Sequence, residues 1–161
     1  MVTRRAFLSL VGAAGAAGVA TVAGIQLLPG DSAPTGDPVV RYGQENCARC
    51  RMTISDARFA AAWREPSGKE KHFDDIGCMV LQQRETEIPE STRFWVNDYE
   101  TQTWLDAATA SYVLSKSIDS PMAYGVAASA TPERADALAT RFDAATVSKW
   151  SGLDTSVSAR S

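Results

Sequence analysis

The chain has very little histidine, the side chain that acid–base catalysis uses most often, and few thiols. It contains one histidine and three cysteines among 161 residues. A single histidine leaves little acid–base chemistry, and no Ser-His-Asp or paired-carboxylate arrangement stands out. We therefore expect a protein that is not an enzyme. Three cysteines form at most one disulfide, which leaves one thiol free.

The chain also lacks an excess of positive charge. Its net charge is −3, and residues 1–30 carry two arginines and no acid, so the remainder carries −5. Proteins that bind nucleic acid need a basic face, and this balance argues against such a partner. The residues after position 30 number about 130, which is the size of one domain.

The N-terminus indicates export. Arg4-Arg5 is followed by Ala6-Phe7-Leu8, which matches the twin-arginine pattern, and no charged residue lies between Ala6 and Leu28. An uncharged stretch of about 20 residues can span a bilayer, and an ordinary buried helix is the alternative interpretation. We therefore expect residues 1–30 to be a twin-arginine signal or membrane anchor, read by the twin-arginine export machinery. No cysteine follows closely and no clean cleavage site is evident, so we expect the chain to stay tethered by this segment. The domain would then lie at the outer face of the cytoplasmic membrane, or in the periplasm or extracellular space.

The most informative motif is Cys47-Ala-Arg-Cys50-Arg-Met52. Thiolate and thioether are soft donors, which select Cu(I) over hard cations. Zinc sites use thiolate and imidazole, so Met52 is the residue that favours copper. A second soft pair, Cys78-Met79, lies downstream of His72. A Cys47–Cys50 disulfide with Cys78 buried remains an alternative.

The pattern of strands and helices predicts an α+β fold with mostly antiparallel strands. We expect a linker over 31–43, one domain over 44–150 and a disordered tail over 151–161. Within the domain two halves are predicted, each with two strands, a helix and another strand. The predicted elements are strands over 58–63, 70–73, 93–98, 104–106, 112–114, 124–127 and 146–148, and helices over 76–84 and 132–142.

Several motifs together resemble those of one known family. They are Cys50-x-Met52, His72-Phe73-Asp74-Asp75-Ile76-Gly77-Cys78-Met79, Val96-Asn97-Asp98-Tyr99, Trp104-Leu105-Asp106-Ala107 and Ser120-Pro121-Met122. In order and spacing they are similar to the nitrous-oxide reductase accessory protein NosL family of exported copper-binding proteins. The resemblance implies a fold of paired ββαβ units, related to the organomercury lyase fold. It also implies delivery of Cu(I) to a multicopper enzyme such as nitrous-oxide reductase.

The resemblance further implies a ligand set. The family's Cys-x-Met pair and its later Pro-Met motif fall on Cys50, Met52 and Met122, and Cys47 adds a thiol that some members lack. Many members have glycine where this chain has Arg51. Cys78 either faces the site or is a small buried hydrophobe, and His72 is either a further ligand or an exposed histidine. Asp74-Asp75 is predicted to cap a helix, since carboxylates suit Cu(I) poorly.

Three functions compete on these residues. The first is a Cu(I) carrier that exchanges copper with a donor and an acceptor metalloenzyme. The second is a structural zinc module of Cys47, Cys50, Cys78 and His72, a Cys3His set in which Met52 has no role. The third is a thiol-dependent enzyme, an oxidoreductase or a lyase. A redox CxxC normally opens a helix near a βαβ pattern, which is not predicted here, so we favour the carrier.

Overall fold

The computed structural model describes residues 35–157. The predicted signal segment and the last four residues lie outside the described residues. The strands are β1 Ala61–Arg64, β2 Glu70–Phe73, β3 Arg93–Asn97, β4 Trp104–Asp106, β5 Ser111–Leu114, β6 Val126–Ser129 and β7 Thr146–Lys149. The helices are α1 Ile76–Glu85, α2 Pro132–Ala139 and α3 Trp150–Ser156. Over residues 35–157, no helix has the length and apolar character that crossing a membrane requires.

Two antiparallel sheets repeat one topology. In the first sheet the order is β2-β1-β3-β4, and in the second it is β6-β5-β7. In each sheet a hairpin is followed by a helix, and the next strand returns to pair with the first strand of the hairpin. The predicted α+β fold with two ββαβ units is therefore confirmed. We call residues 61–106 the first unit and residues 111–149 the second unit.

The helices of the two units are buried differently. Six consecutive residues of α1, from Ile76 to Leu81, are buried, so the first half of this helix is enclosed on every side. It lies within a core that both units supply, with Trp63 and Phe73 from the first and Tyr112 and Val126 from the second. In α2 only Ala135 and Leu138 are buried, as expected of a helix that covers one face of a sheet.

The strand predicted to begin at Arg58 begins later. Residues Ala57–Phe59 form a 3-10 turn, because Asp56 accepts a hydrogen bond from the backbone N–H of Arg58 at 3.0 Å. The α2 helix ends at Ala139, before the predicted Phe142. Propensity and periodicity place such boundaries only to within a few residues.

The disordered tail predicted from Ser151 is wrong over the described residues. Helix α3 occupies this segment, and Leu153 and Val157 are almost completely buried. The Arg84 guanidinium donates hydrogen bonds to the carbonyl oxygens of both residues, at 3.3 and 2.7 Å. At the other end, Pro38 of the predicted linker is buried, and Gly36 accepts a hydrogen bond from Arg64 at 2.9 Å. Long-range packing, invisible in the local sequence, fixes both segments.

Candidate metal centre

A closed turn carries the first two cysteines. The backbone N–H of Cys47 donates to the carbonyl of Met52 at 2.8 Å, and that of Arg51 donates to the carbonyl of Cys47 at 3.1 Å. Arg51 has a φ of 68°, in the left-handed region that favours glycine. A glycine would adopt this conformation at no steric cost. The turn can form with arginine only at a cost in backbone strain.

Two contacts tie this turn to the first unit. Ala48 donates its backbone N–H to the carbonyl of His72 on β2 at 2.9 Å. The Arg49 guanidinium forms a bidentate ion pair with Glu85 at the end of α1. One contact therefore ties the turn to β2, and the other ties it to α1.

The N-terminus of α1 brings the third cysteine to the turn. Asp75 is the N-cap, as predicted, and accepts the backbone N–H of Gly77 at 2.8 Å. Cys78 then lies in the first turn of the helix, and Asp74 immediately precedes the cap. Backbone N–H groups at a helix N-terminus favour negative charge, so this position suits a thiolate or a carboxylate.

Four side chains converge between the turn and the helix. One donor atom each from Cys47, Cys50, Asp74 and Cys78 lies within 4.8 Å of every other. Cys47 and Cys78 are completely buried, Asp74 is 1% exposed, and Cys50 is half-buried. All three cysteines are free thiols, so no disulfide occupies the position. The group has the composition of a metal site.

The three thiols differ in acidity. A hydrogen bond from Cys78 lowers the pKa of Cys47 to about 7, and the backbone N–H groups of Asp74 and Cys50 act in the same direction. Burial raises the pKa of Cys50 to about 12. The hydrogen bond to Cys47, followed by burial, raises the pKa of Cys78. Cys47 is thus the thiol of the cluster that loses its proton most readily, and a metal that binds must displace protons from Cys50 and Cys78.

Asp74 is the residue that the sequence interpretation missed. Its Oδ1 accepts a hydrogen bond from the Cys50 thiol at 3.2 Å, while Oδ2 is buried without any hydrogen-bond partner. Sequence reasoning assigned the Asp74-Asp75 pair to capping, which holds for Asp75 alone. A signal was present, because only one of two adjacent aspartates can be the N-cap.

The loop after β5 packs against the same helix end. Oδ2 of Asp75 accepts hydrogen bonds from the Ser120 hydroxyl at 2.6 Å and from the backbone N–H of Met122 at 3.1 Å. Gly77 lies directly under the Tyr124 ring, and a Cβ there would be 2.4 Å from it. Residues 120–124 are thereby fixed beside the N-terminus of α1.

The predicted methionines lie at the edge of this region. Met52 is 59% exposed, at the end of the cysteine turn. Met122 is half-buried against the core and is anchored through its backbone N–H to Asp75. Their roles as ligands stay predictions. Met79 is completely buried, which agrees with its interpretation as core.

His72 does not join the cluster. Its Nδ1 lies 2.6 Å from Glu45 and its Nε2 lies 2.7 Å from Glu70, so both ring nitrogens are engaged by carboxylates. The Cys3His set considered from the sequence is thus not assembled in the described part of the chain. In the structure the fourth potential donor beside the three cysteines is Asp74, not His72.

Comparisons with known proteins agree with this architecture. A model of the NosL family matches residues 38–155. Among solved structures, the fold is similar to the crystal structure of the copper chaperone NosL from Shewanella denitrificans, with a TM-score of 0.62. The two sequences are 15% identical, and the match covers 73% of this chain and 96% of that chain. A search of curated protein sequences gives no match.

Proposed function

The chain belongs to the NosL family, and from this premise we propose that it is a Cu(I) carrier. It takes copper from a donor outside the cytoplasm and delivers it to a multicopper enzyme, for which nitrous-oxide reductase is the first candidate. Copper is its cargo, and the chain is an accessory protein with no catalytic step of its own. The structural relative with the same fold is itself described as a copper chaperone.

The observation that carries the proposal is the convergence of three free thiols, two of which lie on the same turn as the exposed Met52 thioether. Thiolates and thioethers are the ligands that Cu(I) prefers. Cys50 and Met52 are on one turn, and Met122 is anchored beside the helix that carries Cys78. We propose Cys50, Met52 and Met122 as the copper ligands, with Cys47 as a further thiolate.

Graded exposure supports transfer by ligand exchange. Met52 is exposed, Cys50 is half-buried and Cys47 is fully buried. A partner thiolate or thioether can reach copper at Met52 first, and the chain can release its inner ligands afterwards. Copper then passes between proteins without being free in solution.

Export and tethering rest on the N-terminal sequence. Arg4-Arg5 and the uncharged segment to Leu28 would direct the chain through the twin-arginine machinery and hold it at the outer face of the cytoplasmic membrane. This route carries folded proteins, which suits a domain whose metal site depends on distant segments of the chain. Changing both arginines to lysine is expected to leave the protein in the cytoplasm, as measured by cell fractionation. Normal export of that double variant would contradict the twin-arginine route.

Metal identity tests the central claim. The purified, reduced protein is expected to bind about one Cu(I) and to hold it far more tightly than Zn(II). Competition titrations with a Cu(I) chelator measure this affinity, and X-ray absorption reports the sulfur ligands. A preference for Zn(II) under the same conditions would overturn the carrier proposal. Neighbouring genes for nitrous-oxide reductase, or for a copper oxidase, would identify the client.

A further inference from the structure

We propose that residues 39–58 form the docking surface for the protein that accepts copper, and that this acceptor presents carboxylates around its own copper ligands. We call residues 39–58 the docking segment. The inference rests on the Cu(I) carrier proposal, because the segment matters only if copper moves between proteins. It adds the chemistry of the partner, which the carrier proposal leaves open.

The docking segment concentrates exposed apolar side chains. Among residues 35–157, four large hydrophobic side chains are exposed, and three of them, Val39, Tyr42 and Met52, lie in this segment. The fourth is Val147 on β7. Scattered exposed apolar residues are common on proteins, whereas their concentration in one place is typical of an interaction surface. The segment that carries the exposed thioether is thus suited to contact with another protein.

Backbone hydrogen bonds fold much of the docking segment into one loop. The N–H of Gly43 donates to the carbonyl of Ile54 at 2.8 Å, and the N–H of Ile54 donates to the carbonyl of Glu45 at 2.8 Å. Tyr42 and Met52 therefore lie on the two arms of the same loop. A partner that contacts this loop also meets the cysteine turn.

The docking segment is basic, although the rest of the domain is acidic. It contains four arginines and two acids, a net charge of +2, whereas residues 59–157 contain nine lysines and arginines and 15 acids, a net charge of −6. All cations of the segment are arginine, which is enriched at protein interfaces together with tyrosine and methionine, whereas lysine is depleted there. An acidic partner is attracted to the segment and repelled by the rest of the domain, so the charges orient its approach.

One of the four arginines is available to a partner. The other three form the ion pairs Arg41–Glu45, Arg49–Glu85 and Arg58–Asp56. Arg51 is exposed and forms no ion pair with any residue between positions 35 and 157. Its guanidinium can therefore pair with a carboxylate of another protein, in the bidentate geometry that arginine favours.

Arg51 also lies where a docking charge acts on copper transfer. Its chain neighbours are Cys50 and Met52, two of the proposed copper ligands, and consecutive Cα atoms are about 3.8 Å apart. This is within the Debye length of about 10 Å at 0.1 M salt, so the charge is felt at the copper position. Arg51 holds the strained φ of 68°, and a side chain kept in such a conformation fits a role in binding.

Carboxylates suit this task because they do not compete for the cargo. Hard oxygen donors bind Cu(I) poorly, so an acidic rim attracts the carrier without capturing its copper. In transfer, a thiol of the acceptor loses its proton and binds Cu(I) in place of Met52. The thiolates of this chain then dissociate from copper, and each takes up a proton from water. Copper stays Cu(I) throughout, so the exchange needs no oxidant or reductant.

Copper transfer to two synthetic peptides tests the charge of the partner. Both peptides carry one Cys-x-x-Met motif, flanked by aspartates in one and by asparagines in the other. The purified, reduced full-length protein is loaded with Cu(I), and transfer to each peptide is followed by stopped flow with a fluorophore that copper quenches. At 0.1 M salt we expect the aspartate peptide to take copper about tenfold faster. This ratio should fall toward one at 1 M salt, where the Debye length is about 3 Å.

Charge variants test the position of the docking surface. Arg51→Gln should lower the ratio of the two rates, and Arg51→Glu should reverse the preference, so that the asparagine peptide becomes the faster acceptor. Lys116→Glu is the matched control, because it makes the same change in net charge at an exposed residue of the second unit. Its ratio should stay within about twofold of wild type, since exposed charges beyond a Debye length are screened. The ratio compares two peptides on one variant, so a change in that variant's own copper affinity cancels.

The failures of the two proposals are distinguishable. If wild type binds Cu(I) but transfers it to both peptides at equal rates, the acidic partner is wrong and the carrier stands. Equal losses in Arg51→Glu and Lys116→Glu would also overturn the docking surface. If wild type binds no Cu(I), the carrier is wrong and the docking inference falls with it. The salt dependence of wild type needs no variant and is therefore independent of how Arg51→Glu folds.

Discussion

A buried carboxylate of the first unit lies at the N-terminal end of each unit's helix, and the two carboxylates differ in their hydrogen bonding. Asp74 precedes the cap of α1, and Asp98 lies against the residue that precedes the cap of α2. Both are 1% exposed. Asp98 accepts backbone N–H groups from Glu100, Thr101 and Ala130 at 2.9–3.0 Å, whereas one oxygen of Asp74 has no partner.

The hydrogen bonds of Asp98 give it a structural role, whereas the unpartnered oxygen of Asp74 is available to a ligand. In the third position of α2, Arg134 lies 3.4 Å from Asp98 and forms an ion pair with it. The corresponding position of α1 is Cys78, which faces two more thiols and Asp74. The repeated topology thus offers the same helix end twice. At α2 the arginine pairs with the carboxylate. At α1 the carboxylate lies among three thiols, which together form the candidate metal site.

The largest expected effect concerns the thiols of the cysteine turn, which contacts the first unit. Cys50→Ser should weaken Cu(I) binding on the order of 1,000-fold, or about 4 kcal/mol, because a hydroxyl replaces a thiolate donor. The fold should remain, since Cys50 is half-buried on a turn. Chelator competition measures the affinity, and thermal melting is the control. Full affinity in a folded variant would remove Cys50 from the copper site.

Core substitutions should affect both units alike. Met79→Ala in α1 and Leu138→Ala in α2 should each lower the free energy of unfolding by about 2–5 kcal/mol, because both side chains are buried. Met52→Ala is the matched control and should change stability by less than about 0.5 kcal/mol, since Met52 is exposed. Denaturant unfolding measures all three. A small loss at Met79 would show that α1 is less tightly enclosed than its burial indicates.

The two buried acids should respond differently to neutralisation. Asp98→Asn should cost about 1–3 kcal/mol of stability at pH 7, because three backbone N–H groups lose their charged acceptor. Asp74→Asn should cost less than half as much, since its Oδ2 has no hydrogen bond to lose. Urea unfolding of the metal-free proteins compares them. Equal losses would remove the distinction between the two carboxylates.

Acid titration sharpens the same comparison. Burial raises the pKa of Asp98, but the backbone N–H groups of Thr101, Glu100 and Ala130 outweigh it and lower the pKa overall. Because the pKa of Asp98 is lower in the folded state than in the unfolded state, its ionised form stabilises the fold. This stabilisation is fully present above the unfolded-state pKa of about 3.9 and is lost as the pH falls through the folded-state pKa. Melting temperatures of wild type should therefore fall more steeply below about pH 4 than those of Asp98→Asn. Parallel curves would contradict this assignment.

The methionines should have smaller effects on copper than Cys50. Met52→Ala and Met122→Ala should each weaken Cu(I) binding by about tenfold, or about 1.4 kcal/mol, because a thioether is the weaker of the two soft donors. Affinity and melting are measured together for each variant. If Met122→Ala melts early yet keeps full affinity, Met122 is core, and Cys47 or Cys78 completes the site.

The smallest effect concerns backbone strain, at the cysteine turn and in the second unit. Arg51 at the cysteine turn has a φ of 68°, and Ala144 before β7 has a φ of 47°. Left-handed backbone costs a non-glycine residue about 1–2 kcal/mol of stability. Glycine avoids this strain, but it loses more conformational entropy on folding, which costs about 0.5–1 kcal/mol. Arg51→Gly and Ala144→Gly should therefore each stabilise the protein by about 0.5–1 kcal/mol. Melting curves measure the gain, and a loss at Arg51 alone would show that its side chain holds the turn.

Much of this architecture was predictable from the sequence, because its signals are local. The pattern of apolar residues predicted the strands and helices, and the cap predicted at Asp74-Asp75 lies at Asp75, where α1 begins. The motif Cys47-x-x-Cys50-x-Met52 predicted soft-metal chemistry, since donor type is a property of the side chain. Helix α3 was missed because its stability comes from Leu153 and from contacts with Arg84, distant in sequence.

The sequence by itself determined the paired ββαβ plan, the supply of soft donors and the net negative charge. Only the tertiary structure decided which donors meet. It brought Cys78 and Asp74 to the cysteine turn through the N-terminus of α1, and it engaged His72 with Glu45 and Glu70. The physical reason is that donor chemistry is encoded residue by residue. A shared site depends on how distant segments pack, and no local pattern carries that information.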